Sequence, residues 1–95
     1  MELERLISSN PERDPYVMCH NFGDTNTLCR IKGGKEEPVG RLNSVGKMIW
    51  ETCDGKKRPK EISKMIHDRY LVSKRRAWTD TLFFLSRLKK IGAIL

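Results

Sequence analysis

No stretch of this sequence stays apolar for the roughly 20 residues that a bilayer-spanning helix needs, and the opening Met1-Glu2-Leu3-Glu4-Arg5 mixes acid and base where a secretory signal would not. The expectation is a soluble, cytoplasmic protein with no membrane partner. Cysteine is sparse: Cys19, Cys29 and Cys53 are an odd count with no closely spaced pair, which argues against a disulfide framework and suits a reducing compartment. Close ligand pairs of the Cys-x-x-Cys or His-x-x-x-His kind are also missing among Cys19, His20, Cys29, Cys53 and His67, so buried thiols and solvated imidazoles are expected, and no metal. Nor does the sequence offer a nucleophile beside a base or a recognisable carboxylate pair. No catalytic residue and no cofactor is assigned, and the chain is read as non-enzymatic.

Acidic residues are scarce in the second half. Residues 1–54 hold seven Lys and Arg against nine Asp and Glu, a balance of −2, whereas residues 55–95 hold twelve against three, a balance of +9. Such a field draws in an acidic partner without saying whether that partner is peptide, protein or nucleic acid. Ninety-five residues suffice for a single domain spanning 1–95, small enough that each apolar helix face must be used.

Breakers organise what is present. Ser8-Ser9-Asn10-Pro11 and Asp14-Pro15 allow at most a turn or two of helix at Leu3–Ile7, so residues 1–15 read as an arm or lead-in. The β-forming runs Tyr16–His20 and Thr27–Ile31 flank the turn residues Gly23-Asp24 and suggest a hairpin. Gly33-Gly34 marks a second turn before a short extended segment, Pro38–Leu42, and Pro38 favours a sheet edge because it cannot donate to a ladder. Asn43 then caps a helix with Val45, Met48, Ile49 and Cys53 on one face, closed by Asp54-Gly55. On this helix Trp50 reads as an anchor between helix and sheet. Pro59 opens a second helix through Ile62, Met65, Ile66 and Tyr70, and Ser73 caps a third over Lys74–Ile91, stopped by Gly92. The inward face of this last helix collects Ala77, Trp78, Thr81, Phe84, Leu85, Leu88 and Ile91, while Phe83 falls off the apolar arc. Three cations at its start, Lys74, Arg75 and Arg76, oppose the helix dipole and call for a partner, whereas Arg87, Lys89 and Lys90 at its end suit it. The expected fold is α+β: a winged-helix-like domain with a three-stranded antiparallel sheet followed by three α-helices.

The order Leu42-Asn43-x-x-Gly46, Ile49-Trp50-Glu51, Asp54-Gly55, Glu61-Ile62 and a closing Gly92-Ala93-Ile94-Leu95 resembles the PqqD-like family of peptide chaperones, the recognition elements for precursors of ribosomally made, modified peptides. The resemblance covers Leu42 to Leu95. It implies that the leader segment of a precursor peptide adds as a strand in the cleft between the third strand and the third of these helices, and is presented to a modifying enzyme, commonly a radical S-adenosylmethionine enzyme. By element, the peptide-binding residues would be Val39, Gly40, Arg41 and Leu42 of the strand and Arg75, Arg76, Thr79, Leu82, Phe83 and Ser86 of the helix. Members serving pyrroloquinoline quinone synthesis more often carry an acidic residue where Asn43 stands, and a capping Thr where Pro59 stands. The resemblance therefore implies a recognition role without naming the product.

The physical reading agrees with a peptide module: an edge strand supplies backbone hydrogen bonds, apolar pockets supply specificity and basic residues steer an acidic leader. The alternative is a winged-helix DNA-binding protein using the same basic helix. Nucleic acid is disfavoured because that helix start offers no Asn or Gln to read bases and its exposed side carries Leu82 and Phe83. The exposed edge also permits a homodimer by strand exchange.

Overall fold

The computed structural model describes residues 2–95. Helix α1 (Glu2–Ile7) precedes strands β1 (Val17–Phe22), β2 (Thr25–Lys32) and β3 (Lys35–Leu42), and helices α2 (Ser44–Thr52), α3 (Pro59–Tyr70) and α4 (Lys74–Lys90) follow. The strands form an antiparallel sheet in the order β1-β2-β3, which leaves β3 at an edge. Gly23, Gly33 and Gly34 turn the two hairpins at positive φ, where a side chain would be strained. β3 begins three residues earlier than the breakers suggest and includes Pro38, which lies opposite Cys29 just past an irregularity between Leu28 and Cys29. An edge strand tolerates this, because the missing N–H need not serve a second neighbour.

Each helix is closed by the chemistry of its own sequence. The Asn43 side chain accepts the Gly46 N–H at 2.8 Å, and the Ser73 hydroxyl accepts the Arg76 N–H at 3.1 Å. At α3, Pro59 occupies the first turn and the Glu61 carboxylate reaches back to accept the Arg58 N–H at 3.3 Å. Leu71 ends α3 in the left-handed region at φ 53°. His67, expected to be solvated, instead packs Nδ1 against the carbonyl of Val72 and so helps hold that turn.

The core lies where the sheet's inner face meets α2, α3 and α4. Leu28, Ile49, Ile62, Ile66, Leu85 and Leu88 are fully buried there. Each such side chain contributes about 1.5–3 kcal/mol relative to exposure. Trp50 is buried as well, but its indole N–H donates to the carbonyl of Ala93 at 3.2 Å and Arg13 stacks over the ring at 5.7 Å. Its polar anchor is thus the C-terminal segment, not a strand.

The lead-in is tied down at its second half. Arg13 donates its amide to Cys53 and Asp14 donates to Ala93, while Pro11 and Glu12 accept from Gly55 and Leu95. Arg30 of β2 joins this junction, pairing with Asp14 at 3.3 Å and donating to the carbonyl of Gly92. All three cysteines are free thiols. Burial pushes Cys53 up to about 12 and raises Cys19, so both remain protonated at neutral pH. Among the described residues no helix is long and apolar enough to cross a membrane.

Candidate functional site

Among the described residues one long side of β3 has no partner strand, and the C-terminal cap of α4, Ile91, reaches the strand at Gly40. A Cβ on Gly40 would lie 2.9 Å from Ile91 Cδ1, so this glycine permits the approach of the residue that caps α4 to the strand. About two turns toward the start of α4, Phe84 makes a similar contact with α2, where a Cβ on Gly46 would lie 2.7 Å from Phe84 Cε1. Phe84 and Ile91, seven residues apart, therefore mark the side of α4 that faces α2 and β3.

Phe83 stands beyond this line. It is 58% exposed, and its ring meets that of Phe84 edge-on at 5.3 Å and 85°. A solvent-facing aromatic held by a second, half-buried ring is a rigid apolar surface that loses little entropy on binding. On its other flank Phe83 shares a shallow hollow with Leu3 of α1, Leu82 and Ser86.

The strand and helix residues expected to bind peptide thus divide by position. Leu42 is buried in the core and Val39 packs partly against it, whereas Arg41 is exposed, opposite Thr27. Gly40 lies at the strand–helix contact. Leu82 and Ser86 lie on the α1 side of α4, more than a quarter turn round the helix from Ile91. Thr79 donates its hydroxyl to the carbonyl of Arg75 at 3.0 Å, within its own helix. Two residues absent from the expected set, Ile91 and Phe84, meet β3 at Gly40 and α2 at Gly46 respectively. Their apolar type assigned them to the core, and only their partial burial shows that they also border the surface.

The cations at the start of α4 are exposed. Arg76 finds a partner in Asp80 at 3.5 Å, one helical turn on, which offsets part of the unfavourable interaction with the dipole. At 71% side-chain exposure this pair is worth little, and the guanidinium remains open to a stronger anion. Arg87, Lys89 and Lys90 extend the positive surface along the last turn.

Residues 36–94 match the family model described as Coenzyme PQQ synthesis protein D (PqqD). Among solved structures, the chain is similar to TbiB1 in complex with the TbiA(beta) leader peptide, with a TM-score of 0.66 and 25% identity over 87% of this chain and 93% of that one. It also resembles lasso peptide synthetase B1 complexed with the leader peptide, with a TM-score of 0.70 and 17% identity over 92% and 99% of the respective chains; this second likeness bears on the fold alone. Among curated proteins there is no match.

Proposed function

The chain belongs to the PqqD family, and from that premise we propose that it is a non-catalytic peptide chaperone that binds the leader segment of a ribosomally made precursor. The leader adds as a fourth strand to the free side of β3. Backbone groups of the edge supply affinity without regard to sequence, and every second leader side chain turns toward α4. There Ile91, Phe84 and the exposed crest of Phe83 receive apolar residues, while Arg41, Arg75, Arg76 and Arg87 attract acidic ones. The captured precursor is then presented to a modifying enzyme, for which the family resemblance implies a radical S-adenosylmethionine enzyme.

The side of β3 that no described strand pairs, on a strand that the capping residue of α4 touches at Gly40, is the observation that carries this reading. The leader complex of TbiB1, to which the chain is 25% identical, supports it. Titration calorimetry with a synthetic leader of the cognate precursor tests it. Binding is expected, with weakening in Phe83→Ala and in a paired charge reversal of Arg75 and Arg76 while both variants stay folded. Unchanged affinity in both variants would remove the groove assignment. Salt-sensitive binding to duplex DNA with no response to the leader would replace the function.

A further inference from the structure

We propose that His20, Cys29 and Glu36 form a binding site for one divalent transition-metal ion of the zinc type on the outer face of the sheet. Close ligand pairs are missing along the chain, but the sheet substitutes spacing across strands. His20 lies on β1 opposite Thr27, and Glu36 lies on β3 opposite Ile31. Cys29 sits on β2 midway between those two partners, so each of the outer residues is its diagonal neighbour, a relation that longer side chains bridge. One donor atom from each of the three lies within 4.8 Å of the others. His20 Nε2 and Glu36 Oε2 are already 3.1 Å apart.

Zinc bonds of about 2.0–2.3 Å place tetrahedral donors roughly 3.3–3.8 Å from one another, so closing this set needs side-chain adjustment of about 1 Å and no change of backbone. The donor chemistry is also matched. A thiolate and a carboxylate bring two negative charges to a divalent cation, the imidazole adds a neutral nitrogen, and the combination of sulfur with nitrogen selects zinc-like ions over magnesium or calcium. Cys29 is buried while His20 and Glu36 are part exposed, which puts the sulfur at the base of the site and leaves the fourth position open to solvent. A metal held there joins all three strands, β3 included.

The test uses untagged, reduced, full-length protein and cobalt(II) as the probe. One equivalent is expected to bind with the thiolate-to-metal charge-transfer absorption and intense visible bands of a tetrahedral site, and zinc is expected to displace it. Cys29→Ser should abolish the charge-transfer band and Cys19→Ser should leave it intact. Because Cys29 is buried and its variant could be unstable, Glu36→Gln at an exposed position provides a second arm, with affinity expected to fall at least about tenfold. Absence of the charge-transfer band in the wild-type protein, its persistence in Cys29→Ser, or unchanged affinity in Glu36→Gln would each overturn the proposal.

Discussion

Helix α2 and the margin between β3 and α4 draw on the same kinds of residue and use them differently. In α2 the local signals agree with the packing: Asn43 closes the first turn, Ile49 and Cys53 are wholly buried, and Trp50 satisfies its N–H at Ala93. Along β3 and α4 the corresponding groups are left open. Phe83 is mostly exposed, cations crowd the positive end of a helix, and a strand keeps one side unpaired. A small domain that must use its apolar surface economically does not leave such groups open for the sake of folding. The contrast separates the scaffold, which the most recognisable stretch of sequence builds, from the contact surface, which lies at its borders.

Substitutions on each side should part along that line. The largest effect is expected from Trp50→Ala, which removes a buried ring and a buried hydrogen bond and should cost about 3–5 kcal/mol in denaturant unfolding. A loss below about 1 kcal/mol would break the contrast at its scaffold side. Next, Phe83→Ala should leave stability within about 0.5 kcal/mol yet reduce leader affinity about tenfold, equivalent to about 1.4 kcal/mol. The reverse pattern would make Phe83 a packing residue. Asn43→Ala should then lower stability by about 1 kcal/mol through loss of the α2 cap, with leader affinity in the folded protein unchanged.

The smallest effect concerns acid. Asp54 accepts from the Lys57 ammonium and the Lys56 N–H, and these bonds hold its carboxyl down at about 2, below its usual 3.8. A depressed carboxylate contributes stability that is present above the unfolded value and lost as pH falls through the folded one. Asp54→Asn should therefore flatten the stability profile slightly between about pH 4 and pH 2 and leave leader binding at neutral pH untouched. Acid titration followed by circular dichroism checks this, and an unaltered profile would show that the exposed pair with Lys57 is screened by solvent.

Much of the scaffold is legible in the sequence because its signals are local. Asn43, Pro59, Ser73 and Gly92 bound the three long helices within a residue of where they lie, since caps and breakers act on neighbouring backbone. Helical periodicity places Phe83 off the apolar arc, and only the packing of the fold shows that it stays exposed. Features that depend on how elements meet are not legible in this way. Periodicity does not say that α1 stands beside Leu82 and Ser86, nor that Ile91 and not Leu82 turns toward β3. Trp50 could be recognised as an anchor, while its partner Ala93 is 43 residues away along the chain. His20, Cys29 and Glu36 converge only through the strand register, including the irregularity at Leu28 and Cys29.

Backbone amide hydrogen exchange, measured with and without a saturating synthetic leader, tests strand addition most directly. The account predicts that amides of Val39–Leu42 facing the free side of β3 slow markedly on binding, while those of α2 do not change. Slowing centred on α1 and the hollow around Ser86, with β3 unaffected, would contradict it.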